Sequence, residues 1–347
     1  MRVLFLTLYP ESAASPRYRV HQYLPGLRAA GHTCDVACAV DPAFWSAYHA
    51  PGSALRPRDY LRHERGRRKQ QLLAARDYDV VVLQKAITTV SWRGLHRLLE
   101  PVQSRLVYDI DDAVHLAAPD RLPKGFCLLE DAEQLRKVMG LARLTIAGNE
   151  WLAGEVQRHG GRAEVVPTVV DTDHYTPQPQ PDEVYRIGWM GSPATAPYLD
   201  LVARPVSESG AACLVVGAPA SRVPFPAECR AWSVEEERAQ LGRMSVGLMP
   251  LPDTPWAQGK CALKALLYMA CGRPVVCSAG AAADTIVEHG RTGYLCRTDA
   301  DWRDAIEALR DPGPRAEMGA AARRAVEERY SLRVWAPRMK EILESIA

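Results

Sequence analysis

Long apolar runs are missing from this 347-residue sequence. None approaches the roughly 20 residues that a membrane-crossing helix needs, so any membrane contact is expected to be peripheral. "VLFLTL" after Met1-Arg2 is too short for the apolar core of a signal peptide. A cytoplasmic protein, free or peripheral to the inner membrane face, is the expectation. A large basic excess is also lacking: the net charge is +2, which argues against a nucleic-acid partner. The nine cysteines form no C-x-x-C pair. Cys34 and Cys38 stand four apart, but no partner pair follows at zinc spacing, so reduced thiols and no metal site are expected. Neither G-x-G-x-x-G nor G-x-x-x-x-G-K-[ST] occurs, and G-x-S-x-G and H-E-x-x-H are absent as well. Lysine itself is scarce, at seven of the 43 basic residues.

What is present is a repeated alternation of strand and helix. "RVLFLTLYP", "HTCDVACAV", "YDVVVLQ", "SRLVYDIDDA", "ARLTIAGN" and "AEVVPTVVD" read as strands. Continuous apolarity in the first implies burial on both faces, as in a parallel sheet. A helix is expected over Tyr18–Ala30, closed by Gly31. "TPQPQPDEVY" (176–185) reads as a linker, with three prolines and no apolar period. After it the pattern restarts with "YRIGWMGS", "AACLVVGAP", "MSVGLMPL", "GRPVVCS" and "TGYLC". The chain length and the pattern give an α/β protein of two doubly wound, Rossmann-like domains.

Four stretches could carry chemistry. "YDIDDAVH" gathers Asp109, Asp111, Asp112 and His115 at a strand's C-terminal end, where open α/β sheets bind ligands. Such carboxylates bind a cation, orient hydroxyls, act as acid or base, or cap a helix. "SPRYR" places Ser15, Arg17 and Arg19 after the first strand, as anion ligands or as ordinary surface arginines. "GWMGSP" offers Gly191 and Ser192 as a phosphate-holding turn or a plain strand-to-helix turn. "WAQGKCALKALLYMACGRPVV" puts Lys260 and Lys264 on the first turn of a helix expected from about Lys260 to Ala270. Two cations there oppose the helix dipole, which points to a bound anion; a surface pair is the plain alternative. The Arg-rich stretch 56–77 reads as a solvated face or as a dock for an anionic membrane surface.

Taken together, "GKCALKALLYMACGRPVVCSAGAAADTIVEHGRTGYL", "AGNEWLA", "VVPTVVDTDHYTP", "IGWMGSPAT" and "DIDD" resemble the GT-B glycosyltransferases of the family 4 type over nearly the whole chain. The resemblance implies an acceptor-side domain at 1–178 and a donor-binding domain at 179–329. A C-terminal helix at 330–347 would pack back on the first, and a cleft would lie between the domains. It implies a retaining, metal-independent transfer of sugar from a nucleoside diphosphate, with no other cofactor. Gly191, Ser192, Lys260, Lys264 and Asp284 would hold the donor, and Trp232 would stack on its base or serve the core. Asp109, Asp111, Asp112 and His115 would act in catalysis. Ser15, Arg17, Arg19 and Asn149 would face the sugar or the acceptor, itself a glycan, a lipid-linked glycan or a small metabolite.

One departure from the family stands out. Where relatives carry E-x7-E, this sequence has Gly259 and Leu267. A second is Ala281–Ala283 in place of glycines, with Asp284 the nearest carboxylate. The departures keep two alternatives open: a nucleotide-sugar 2-epimerase of the same fold, and a catalytically weak nucleotide-sugar binder.

Overall fold

A computed structural model describes residues 1–50, 52–89, 94–116, 132–179 and 183–347. The chain forms two compact units, Met1–Thr168 with Trp335–Ala347, and Val169–Val334.

Unit 1 is built on six parallel strands. They are β1 (Arg2–Thr7), β2 (Thr33–Cys38), β3 (Val80–Gln84), β4 (Leu106–Ile110), β5 (Leu144–Ala147) and β6 (Ala163–Val165). Their order across the sheet is β2-β1-β3-β4-β5-β6. β3, β4 and β5 are buried at every position, as their apolar runs require. Unit 2 carries β7 (Arg186–Met190), β8 (Ala212–Val216), β9 (Glu228–Arg230), β10 (Val246–Met249), β11 (Val275–Ser278) and β12 (Gly293–Cys296). Their order is β12-β11-β10-β7-β8-β9, again all parallel. Strand order reverses between β1 and β3 and between β7 and β10. In such sheets the connections diverge at the reversal, leaving a crevice at the carboxyl ends of the strands.

Several elements differ from the sequence reading. The helix expected over Tyr18–Ala30 is broken into Ala14–Arg19, a three-residue 3₁₀ turn and Leu24–Ala29. Pro25 explains the restart, because it has no N–H and its ring clashes with the carbonyl four residues back. No α-helix follows "GWMGSP" directly; a 3₁₀ segment, Ala196–Val202, comes first. The lysine helix starts at Leu263, behind Ala262 in left-handed conformation at φ 49°. Lys260 therefore lies in a non-helical link after the short helix Pro255–Gln258, and the two lysines do not share a helix turn. Strand β9, three partly exposed residues, has no apolar signature to announce it.

The segment 169–179 belongs to unit 2. Arg273 donates to the carbonyls of Gln178 and Gly242 at 2.6 and 2.8 Å, and Arg323 donates to those of Thr172 and Ala270. The last helix, Leu332–Glu344, joins unit 1 from Trp335 onward, with Arg338 on Glu164 at 2.6 Å.

The Arg-rich stretch forms the helix Pro57–Ala74 and is not uniformly solvated. Arg68 is fully buried and donates to the carbonyls of Ile87 and Thr7 at 2.7 and 2.5 Å. Burial lowers its pKa to about 10. Arg58, Arg62, Arg65 and Lys69 share the exposed face at helical spacing. Among the described residues, no helix is long and apolar enough to cross a membrane.

Tyr268 holds unit 2 together at its strand reversal. β10 pairs with β7 only at Ile187 and Gly188, so the Met190 N–H lies beyond that pairing. It donates instead to the Tyr268 hydroxyl at 2.9 Å, from a helix whose Tyr268 ring is fully buried. Removing the acceptor leaves a buried N–H without a partner, which costs about 1–3 kcal/mol. Tyr268→Phe is expected to lower unfolding stability by that amount in urea titration, with the m-value unchanged.

Candidate functional site

In unit 1, the carboxyl ends of β1, β3 and β4 bring together residues distant in sequence. The β1 connection carries Ser15, β3 ends in Gln84 and is followed by Lys85, and β4 leads into Asp111 and Asp112. Ser15 Oγ donates to Asp111 Oδ2 at 2.5 Å and accepts from Gln84 Nε2 at 2.6 Å. Lys85 Nζ stands 3.3 Å from Asp112 Oδ2 and 3.7 Å from Asp111 Oδ1, so it supplies the positive charge between the two carboxylates.

Lys85 was not among the sequence candidates. Its backbone is left-handed at φ 71°, a conformation that side-chain-bearing residues rarely hold without support. That support is visible: the Lys85 N–H donates to the Asp109 carbonyl, and the Tyr108 hydroxyl donates to the Lys85 carbonyl, both at 2.8 Å. A signal did exist in the sequence. Lysine is rare in this chain, and Lys85 directly follows a buried strand.

The other unit 1 candidates have structural partners. Arg19 grips Asp109 through two nitrogens, Nε at 3.0 Å from Oδ1 and Nη2 at 2.6 Å from Oδ2. Its Nη1 donates to the Val166 carbonyl at 2.8 Å. Both residues are buried. Burial raises the Asp109 pKa and the Arg19 charge opposes that rise. Asp109 is thus a fixed carboxylate in a closed ion pair, and Arg19 is not turned to an external anion. Arg17 lies over the Tyr18 ring at 4.9 Å.

His115 joins a different group, on the helix Glu150–Arg158. Its Nε2 meets Glu155 Oε2 at 2.8 Å, and its ring stacks toward Trp151. Burial, then the charges of His159 and nearby arginines, lowers its pKa to about 4. It is a neutral imidazole that donates to Glu155. Asn149 caps that same helix, accepting from the Leu152 N–H at 2.8 Å. An Asn at this position relieves an orphan N–H of the first turn, which gives it a local reason to be there.

In unit 2 the carboxyl ends of β7 and β8 and the helix Leu263–Ala270 converge. Lys264 Nζ lies over the Trp189 ring at 4.3 Å and 3.4 Å from Thr195 Oγ1. A Cβ at Gly191 would come 2.8 Å from this ammonium and 2.4 Å from the Trp189 ring, so only glycine fits there. Burial, with Lys260 as a second cause, brings the Lys264 pKa down to about 7. Lys260 itself lies over the Trp256 ring at 4.9 Å. Ser192 is exposed beside Gly191. Trp232 packs near Gly217 and donates its indole N–H to Glu237 at 2.7 Å, which fixes the half-buried ring. Asp284 is exposed and accepts from the Gly280 N–H at 2.7 Å, tying down the turn before the six-residue helix Ala281–Ile286. Unit 2 thus sets two ammonium groups near a glycine-lined backbone turn, chemistry suited to an anion, and unit 1 sets carboxylates at its strand ends, chemistry suited to hydroxyls.

Comparison with known proteins agrees with this architecture. Residues 212–311, which lie within unit 2, match the family described as Glycosyl transferases group 1. A curated D-inositol 3-phosphate glycosyltransferase of Pseudarthrobacter chlorophenolicus is 48% identical over 63 residues, which is 17% of this chain and 15% of that protein. This match thus spans under a sixth of the curated relative's length. The sucrose-phosphate synthase of Thermosynechococcus elongatus superposes with a TM-score of 0.74 at 14% identity, covering 99% of this chain and 98% of that one. The Anabaena HepE protein, crystallised with UDP and glucose, superposes with a TM-score of 0.71 at 15% identity, covering 99% and 100%. The fold is that of the GT-B glycosyltransferases, with a parallel six-stranded sheet in each unit.

The Arg19–Asp109 assignment has a thermodynamic signature. Breaking a buried pair from one side strands a charge and costs about 3–5 kcal/mol, whereas replacing both partners with apolar groups is much cheaper. Arg19→Met and Asp109→Leu are each expected to destabilise by that amount in chemical denaturation. The double variant is expected to recover more than half of the loss.

Proposed function

We propose that the chain is a retaining glycosyltransferase that moves a sugar from a nucleoside-diphosphate donor bound by unit 2 to an acceptor bound by unit 1. The observation that carries this reading is Lys264, an ammonium set against Gly191 at the strand reversal of the second sheet. Breaking a glycosidic bond leaves negative charge on the departing diphosphate. Preorganised cations at that point stabilise the transition state more than the ground state. Lys264 and Lys260 would supply them, so no metal ion is invoked. Trp232, its ring fixed by Glu237, would stack on the base. The Glycosyl transferases group 1 match and the UDP-bound structural neighbours support a nucleotide-sugar donor.

Gly259 and Leu267 stand where a sugar-holding glutamate pair would be expected, and both are buried or nearly so. Donor selection therefore falls to other groups. An epimerase needs free acid and base groups, and here Asp109 is tied to Arg19 while His115 faces Glu155. That arrangement favours transfer. Contact with an anionic membrane would fall to Arg58, Arg62, Arg65 and Lys69, and co-sedimentation with anionic vesicles tests it.

The pKa of Lys264 gives the donor reading a pH dependence. Free, the group loses its proton near pH 7 instead of near its ordinary 10.5. A bound diphosphate favours the charged form, so binding takes up a proton and weakens as pH rises above about 7. Titration calorimetry with UDP and GDP should show affinity falling between pH 7 and pH 9. Lys264→Arg should flatten that slope. Lys264→Ala should lose about tenfold to a hundredfold, the worth of one charge-assisted hydrogen bond. Wild-type affinity that stays level across this range, or an unchanged Lys264→Ala, would count against the diphosphate site.

A further inference from the structure

The acceptor edge of unit 1 carries a chemical preference of its own. Ser15 Oγ has one proton, and Asp111 takes it. Ser15 must then accept from Gln84, which fixes the amide with Nε2 toward Ser15. Two acceptor oxygens in this group remain without a hydrogen bond: Gln84 Oε1, on a fully buried side chain, and Asp111 Oδ1. Lys85 Nζ is 3.7 Å from Asp111 Oδ1, an ion-pair distance and too long for a hydrogen bond. Buried acceptors without donors are uncommon and call for a donor from elsewhere. A hydroxyl group supplies such a donor, whereas a fully ionised phosphate group has none.

The charges point the same way. Arg19 is neutralised by Asp109, and Lys85 is shared between Asp111 and Asp112. Among these groups the balance is one negative charge, which repels a phosphate. Beside them stands an aromatic wall. Tyr9 and Trp45, both half-buried, lie with ring centroids 5.3 Å apart. They pack in one cluster with Ala86 and Val114, the close sequence neighbours of Lys85 and Asp112. A ring with C–H groups on its face and hydroxyls on its rim fits both surfaces.

We infer that this edge is a subsite for an uncharged, hydroxyl-bearing ring: Gln84 Oε1 and Asp111 Oδ1 accept from its hydroxyls, and the Tyr9–Trp45 wall meets its apolar face. As the acceptor subsite it rests on the transferase reading above, and it names the acceptor class as a neutral saccharide or polyol rather than a phosphate ester. Asp111 is then a binding residue whose loss raises the acceptor KM more than it lowers kcat.

Saturation-transfer NMR on the full chain tests binding directly. The probes are glucose, mannose, maltose and myo-inositol, each beside a monophosphate of the same compound, with no nucleotide present. The expected result is transfer to at least one neutral probe, at least tenfold weaker for its phosphate. Asp111→Asn and Trp45→Ala should each weaken the neutral signal at least fivefold, with circular dichroism confirming that the variants are folded. Stronger binding of the phosphate, no neutral probe bound, or a signal indifferent to Asp111→Asn overturns the assignment. UDP and GDP calorimetry on the same preparation is a separate arm. Loss of nucleotide binding sinks the transferase reading while leaving a neutral-ring subsite standing, and the reverse outcome sinks only the subsite.

Discussion

Every strand in both sheets runs parallel to its neighbours, and that constraint organises the rest of the molecule. Parallel strands cannot be joined by tight turns; each needs a long crossover that brings the chain back to the same starting edge. All carboxyl ends therefore collect along one edge of each sheet. Ser15, the neighbouring Gln84 and Lys85, and Asp111 come from three separate stretches of sequence and meet for this reason. So do Gly191, Gly217 and Lys264 in the second unit. The ladder ends at that same edge, so backbone groups there need other partners, and Tyr268 and Tyr108 provide them through their hydroxyls.

The chain divides its cations by shape. Buried and half-buried arginines act as forks that gather several acceptors at once. Arg68 reaches the ends of β1 and β2 and the loop after β3, and Arg323 and Arg273 gather carbonyls from separate segments of unit 2. A planar guanidinium suits that work because its donors are fixed in direction and its charge survives burial. The lysines near the strand ends are few, and they sit where a compact, adjustable point charge is wanted. Lys85 lies between two carboxylates, and Lys260 and Lys264 each lie on a tryptophan face.

Much of the fold was legible because buried parallel strands leave apolar runs: β3, β4, β7 and β10 are buried throughout, and β1 is buried from Val3 onward. β9 was not, being three residues long and partly exposed. The site was legible only in outline. Strand-end position singled out the Asp111–Asp112 pair, and two cations at an expected helix start singled out Lys264. What sequence cannot display is a partner 90 residues away, and Arg19 with Asp109 looked like two functional groups until the fold paired them. Asn149 and Asp284 carried the local chemistry of caps and turns, a signal that the family resemblance overrode. The lysine helix began three residues late because its break falls on an alanine, where no glycine marks the left-handed turn.

Among the described residues, two without a glycine's freedom hold a left-handed backbone, Lys85 and Ala262. Each such position costs on the order of 1–2 kcal/mol. They lie one in each unit; the first is itself a lysine, and the second lies midway between Lys260 and Lys264. A laboratory lineage selected for heat tolerance alone would drift toward glycine at both. At residue 262 that drift would be harmless to the chemistry, since the alanine contributes only a methyl group. At residue 85 it would relax the chain and erase the ammonium in one step. Relief of backbone strain is therefore free of any loss of charge in the second unit, and in the first it removes the cation that stands between two carboxylates.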